Sequence, residues 1–207
     1  MRKLLHIIAT PREEESRTLL VSDAFLEVVR QAHSDWVIDE LELAKEDLPQ
    51  LTSRRVDGKY TLLSGGELFG TQKEQWQEII AHIERFLSAD VYLITTPMWN
   101  FSIPYNLKQY IDIIMQPRFL FRYTKTGVEG LVKGKKMFVV TSRGGDYRSP
   151  EMKKLDFQEP YLRAVFGFAG IEDITFIIAQ PMDMGDKLRE EKIGEAQRQA
   201  QESAGQL

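Results

Sequence analysis

Between Asp90 and Ile114 the chain changes its hydrophobic period once, and that switch limits what it can fold into. Asp90-Val-Tyr-Leu-Ile-Thr-Thr96 is short, rich in strand-favouring residues and not alternating, as a strand covered on both faces reads. Pro97 ends it, and Ile103, Leu107, Tyr110, Ile111 and Ile114 then fall at helical spacing. Ser102 is the expected N-cap, with Pro104 in the first turn. Met98-Trp99-Asn100-Phe101 lies between the two, at a strand's C-terminal end, where open α/β sheets bind their ligands. Apolar contact from Met98, Trp99 and Phe101, with hydrogen bonds from Asn100 and nearby amides, suits a flat conjugated ligand with a polar rim. The same spacing also allows Trp99 and Phe101 to be core residues and Asn100 to cap a turn.

The rest of the chain repeats the strand-then-helix order. Lys3 to Ala9 reads as a central strand, and a polar loop from Thr10 to Thr18 leads into a helix carrying Val21, Ala24, Phe25, Val28 and Val29. Trp36 to Leu43 is a more charged strand nearer an edge. Residues 44–70, with Pro49, Gly58, Gly65, Gly66 and Gly70, read as a long loop. Thr71-Gln-Lys-Glu74 is a capping box for a helix facing inward through Trp76, Ile79, Ile80, Ile83 and Leu87. Residues 119–131 form a hairpin excursion. Strands are expected at Lys135 to Ser142 and Ile174 to Ala179, with a helix from Phe157 to Phe168 between them. The weak apolar face of a last helix, Asp183 to about Ala200, suggests a frayed end. The expectation is one α/β domain over residues 1–207, a doubly wound five-stranded parallel sheet with helices on both faces.

Composition removes several function classes. The 207 residues include no cysteine, which excludes thiolate nucleophiles, disulfides and Cys-ligated zinc or iron–sulfur centres; no metal is expected. A net charge of -4 gives no general case for nucleic-acid or membrane binding. No apolar run approaches membrane-spanning length, and the start lacks a small-residue cleavage site, so the cytoplasm is the expected compartment.

The doubly wound order makes neighbours of three loops: Thr10 to Thr18, Pro97 to Phe101, and Ser142-Arg-Gly-Gly-Asp146. The first offers hydroxyls at Thr10, Ser16 and Thr18, plus Arg17, at a helix start. Free N–H groups and the helix dipole there attract a phosphate. A plain helix cap at Ser16 or Thr18 is the other reading. The loop lacks both G-x-x-x-x-G-K-[ST] and G-x-G-x-x-G, so triphosphate and Rossmann-type dinucleotide binding lose support. Glu13, Glu14 and Glu15 would repel a phosphate unless they face solvent. In the third loop, Gly144 and Gly145 let the backbone approach a ligand, or simply make a turn.

Pro97-Met-Trp-Asn-Phe-Ser-Ile-Pro104, with Leu107-Lys108 and Tyr110-Ile-Asp112, closely resembles the signature of FMN-dependent NADH-azoreductases, which are flavodoxin-like NADH:quinone oxidoreductases. Phe121-Arg-Tyr-Thr124, Thr141-Ser-Arg-Gly-Gly145, Pro160-Tyr-Leu162 and Gly167-Phe-Ala-Gly170 look like that family in the expected order. The resemblance implies a flavodoxin-like fold, a homodimer with active sites at its interface, and one noncovalent FMN per subunit. It places Thr10, Ser16, Arg17 and Thr18 around the phosphate, and Pro97, Met98, Trp99, Asn100 and Phe101 along one side of the isoalloxazine. Ser142, Gly144 and Gly145 fall at the pyrimidine edge, with Arg143 among the cofactor-binding residues. Tyr123 and Phe168 look like aromatics of the substrate pocket, acting across the dimer interface. The implied reaction is ping-pong transfer of two electrons from NADH or NADPH to quinones and azo compounds. Flavin N5 carries the hydride and no side chain acts as a catalytic acid or base. Thr10 and Thr18 replace the usual serines, and residues 44–70, expected at the pocket mouth, match poorly. The rival classes are a flavodoxin-type electron carrier and a flavin-free binding protein on the same fold. His6, His33 and His82 are read as structural.

Overall fold

The computed structural model describes residues 1–207, the side chain of Glu14 apart. Its strands are β1 (Lys3–Ile8), β2 (Val37–Glu42), β3 (Val91–Pro97), β4 (Phe121–Thr124), β5 (Gly127–Gly130), β6 (Lys136–Ser142) and β7 (Asp173–Ala179). Five of them form one parallel sheet in the order β2-β1-β3-β6-β7, while β4 and β5 pair as a separate antiparallel hairpin. The helices are α1 (Arg17–Ala32), α2 (Ser53–Leu63), α3 (Gly70–Leu87), α4 (Tyr105–Ile114), α5 (Pro150–Lys153), α6 (Gln158–Ala169) and α7 (Asp186–Ala204). Among the described residues, no helix is long and apolar enough to cross a membrane.

The lack of alternation in the central strands has a direct cause. Leu5, Ile7, Tyr92, Ile94, Met137 and Val139 face one core, shared with α3, α4 and α6. Leu4, Val91, Leu93, Phe138 and Val140 face the other, shared with α1 and α7. Both faces are covered, so both sets of positions are apolar. Within the five-stranded sheet, edge strand β2 carries charge past its first residue, and there Asp39 is paired with Lys3 at 2.8 Å and with Arg85 at 2.7 Å. Register aligns the strand ends: Ile8 lies beside Thr95, Pro97 beside Ser142, and Ser142 beside Ala179. The loops leaving β1, β3 and β6 therefore emerge at one edge.

Four expectations need correction. Residues 44–70 are not one long loop, because α2 occupies their middle. It buries only Gly58 and Leu62, so it has no apolar stripe to read, and it is held by Trp76. A Cβ on Gly58 would lie 2.3 Å from the indole nitrogen, which itself donates to the Arg55 carbonyl at 2.9 Å. The capping box also fails: α3 begins at Gly70, so Thr71 is already inside the first turn, and no side chain caps it. Ser102 does not cap α4 either, since Pro104 precedes its first residue and Ser102 belongs to the turn described below. Finally, the last helix is not frayed at Ala200. It runs to Ala204 and buries Ala196, Ala200 and Ala204 against α1, at fourfold spacing too small in side chain to look apolar.

Candidate functional site

At the C-terminal edge of the sheet a cavity of about 180 Å³ is lined by all three loops. The first loop is organised by hydroxyls. Ser16 caps α1, accepting from the Leu19 N–H at 3.3 Å, and donates to Thr10 Oγ1 at 3.2 Å. Thr18 Oγ1 lies 2.6 Å from Ser142 Oγ, tying the first loop to the third. The start of α1 points its free N–H groups into this corner, as every helix start does. Arg12 lines the cavity as well, a residue the sequence reading left out. Arg17 Nη1 donates to Asp183 Oδ1 at 2.7 Å and to the Met182 carbonyl at 3.2 Å. A fourth loop, after β7, thus joins the site. Glu13 reaches Lys45 at 3.6 Å and Glu15 pairs with Arg12 at 3.3 Å, both side chains solvent-exposed; the Glu14 side chain lies outside the described residues.

Gly144 forms the floor. Its carbonyl accepts from Met182 N and Asp183 N at 3.1 and 3.0 Å, and a Cβ there would lie 2.5 Å from Asp183 Oδ2. Gly145 is different: it stands outside the cavity lining, and a Cβ on it would meet only Tyr147, at 3.6 Å. Arg143 lines the cavity, but its guanidinium turns inward to Asp156 at 2.9 Å and its N–H is taken by the Ala179 carbonyl.

Pro97, Met98 and Trp99 form the second wall. Beyond them the chain reverses: Trp99 and Ser102 exchange two backbone hydrogen bonds of 2.9 Å around Asn100 and Phe101, whose φ angles are 47° and 69°. Two positive φ values in succession are what a primed hairpin turn demands, and an aromatic residue tolerates them poorly. This strained tip carries Asn100 and Phe101 out of the cavity. Asn100 instead lines an adjoining concavity of about 410 Å³ with Trp99, Tyr105 and Tyr161. Burial, with the Asp112 carboxylate adding to it, pushes the Tyr161 phenol up to about 12, so it keeps its proton at neutral pH.

Tyr123 and Phe168 are not brought to this edge. α6 starts beside Pro97, and the ten residue steps from Gln158 to Phe168 carry Phe168 about 15 Å along the helix axis, toward the other end of the sheet. There Phe168 meets Phe121 at a ring-centroid distance of 4.7 Å, and Phe121 meets Tyr123 at 5.8 Å. Phe168 lines a separate depression with Val128 and Lys133. Each histidine has a packing role. His6 is buried with Nε2 2.8 Å from Thr95 Oγ1, and burial, reinforced by Arg30, pushes it down to about 3. His33 stacks on Trp36, and His82 sits edge-on to Tyr110.

The helix expected at Phe157 to Phe168 is α6, but nothing in the sequence singled out Gln158 at its start. Gln158 is fully buried, accepting from Thr141 Oγ1 at 2.9 Å and donating to the Pro97 carbonyl at 3.0 Å. The one available signal was a run of polar residues opening an otherwise apolar helix, too common to single out.

With the fold and cleft in place, comparison with known proteins assigns the class. A family model described as flavodoxin-like fold matches residues 2–204, and the chain belongs to that family. An FMN-dependent NADH:quinone oxidoreductase of Nitratidesulfovibrio vulgaris is 36% identical over 208 residues, covering 98% of this chain and all of that one. Another, from Ruegeria pomeroyi, is 38% identical and covers 90% of this chain and 92% of its own. Among solved structures, an FMN-dependent NADH-azoreductase from Bacillus anthracis in complex with FMN superposes with a TM-score of 0.89 at 30% identity, covering 100% of this chain and 99% of that one.

Proposed function

We propose that this protein is an FMN-dependent NADH:quinone oxidoreductase that also reduces azo compounds, working as a homodimer. The observation that supports it is the convergence in one cavity of three hydroxyls at a helix start, an indole wall and a glycine floor. That donor set fits a flavin mononucleotide: Thr10, Ser16, Thr18 and the first turn of α1 suit a phosphate, with Arg12 and Arg17 adding charge. Pro97, Met98 and Trp99 give the ring an apolar face, and Gly144 admits its edge where any side chain would collide with Asp183. When bound, FMN supplies two-electron redox chemistry between a reduced nicotinamide and a quinone or azo acceptor, the two half-reactions sharing one site in ping-pong order. The chain's own residues bind, orient and keep water from one ring face. Tyr161 can offer its phenolic proton as a hydrogen bond to an acceptor in the adjoining concavity, and solvent supplies the remaining protons.

A second copy completes the site in this reading. Tyr123 and Phe168 stand at the far end of their own protomer, where they can serve only a partner's cleft. The test is an absorbance spectrum followed by turnover. Purified protein should be yellow, or become so with FMN, and should oxidise NADH rapidly only when menadione is present. Protein that stays colourless after incubation with FMN overturns the assignment. Flavin binding without turnover would make it an electron carrier instead.

A further inference from the structure

We infer that Asp156, Phe157 and Gln158 form a clamp that sets the spacing of the two loops facing the cofactor, with Gln158 the positioning residue for the redox step. This rests on the flavin reading of the cleft. Burying a primary amide is unfavourable unless its polar atoms are paired, and the Gln158 side chain takes its partners from both strands that end at the cleft. Its Nε2 donates to the Pro97 carbonyl at the end of β3, and its Oε1 accepts from Thr141 in the last turn of the β6 ladder. The ladder itself does not serve Pro97: the odd-numbered carbonyls of β3 face β1, where the Ala9 N–H takes Thr95, and the next donor position on that side is Pro11, which has no N–H. Besides Gln158, among the described residues the Pro97 carbonyl has only the Thr96 hydroxyl, at 3.3 Å.

The neighbours of Gln158 hold the same two loops. The Phe157 N–H donates to the Phe101 carbonyl at 2.9 Å, fixing the turn whose two positive φ values persist only where the surroundings over-determine them. Asp156 Oδ1 accepts from the N–H groups of Gln158 and Glu159 at 3.0 and 3.1 Å, and Oδ2 takes Arg143 Nη1 at 2.9 Å. Three consecutive residues therefore grip Pro97, Phe101, Thr141 and Arg143. One loop would carry the ring's apolar face and the other its edge, so the clamp sets where a hydride donor can lie. It acts on the reaction without touching substrate.

The experiment uses the FMN-loaded enzyme with NADH and menadione, comparing Gln158→Leu, Thr141→Val and Ile79→Ala. Ile79 is a buried core residue of α3 and serves as a purely structural control. Gln158→Leu should lower kcat by about tenfold to a hundredfold, as a displaced reaction geometry does, with a smaller change in the KM for NADH. The visible circular dichroism of its bound flavin should shift. Ile79→Ala should lower Tm but leave kcat and the dichroism alone. Thr141→Val keeps the bond to Pro97 and should move both readouts in the same direction by less; it decides the matter if Gln158→Leu does not fold. Unchanged kcat and dichroism in the folded variants, or an equal loss in Ile79→Ala, overturns the clamp alone. A parent protein that binds no FMN overturns the flavin reading and the clamp's role together.

Discussion

The two ends of the sheet are held together in different ways. At the C-terminal edge, four loops are fixed by buried polar groups: the Arg143–Asp156 pair, Gln158, and the hydroxyls of Thr10, Ser16 and Thr18. At the opposite end, the β4–β5 hairpin leans on α6 by backbone approach, and a Cβ on Gly130 would lie 2.3 Å from the Gly170 nitrogen. Its aromatic side chain Tyr123 remains exposed. A directional polar network suits a site that must hold one cofactor in one pose. A projecting apolar edge suits a surface finished by another molecule. Variants at the first edge should affect cofactor binding, cofactor pose or stability, and variants at the second should affect turnover with cofactor content and stability unchanged.

The largest effect should come from Asp156→Ala. It leaves the Arg143 guanidinium buried without its carboxylate, and loss of one partner of such a pair lowers stability by about 3–5 kcal/mol. Chemical denaturation would measure it, and a loss near that of a surface pair would mean this edge is not rigid in the way described. Next is Tyr123→Ala with Phe168→Ala, expected to keep full FMN content while kcat/KM for menadione falls about thirtyfold, as when a buried aromatic anchor is removed. Mixing that variant with one defective in FMN binding should restore activity in mixed dimers. No recovery would place the aromatics in their own protomer's chemistry. Gly144→Val should weaken FMN binding about tenfold by displacing Asp183 from Arg17, a change of about 1.4 kcal/mol. Gly145→Ala, with space for its methyl, should bind FMN normally in the same titration. Equal behaviour of the two would remove the glycine floor from the site.

The last effect appears only in acid and concerns His6, beneath the near edge. Its folded pKa is depressed from 6.5 to about 3, so between those values the unfolded chain binds a proton that the folded chain refuses. Stability from this group is complete above pH 6.5 and is lost as pH falls toward 3, by at most about tenfold in the folding equilibrium per pH unit. His6→Gln should flatten that part of the stability curve, and an unchanged slope would assign the acid sensitivity to other groups.

Much of the near edge was legible in sequence because its parts are local. Pro97 to Trp99, Ser16 with Thr18, and Gly144 each follow a strand that announces itself as an apolar run, and parallel topology gathers such loops without further information. The hairpin was legible for the same local reason. α2 was not, since a helix with Gly58 at its centre and only Leu62 otherwise buried has no period to detect. Nor was Gln158, whose importance lies in two partners 17 and 61 residues away.

The sequence by itself determined the doubly wound sheet, the three loops that meet at its C-terminal edge and the family they resemble, because these follow from hydrophobic period and from contiguous motifs. Only the tertiary structure decided which of those residues share a cavity. Strand register and helix length are long-range quantities: they turned Arg143 inward, lifted Asn100 and Phe101 onto a strained tip, and sent Phe168 to the far end of its own protomer.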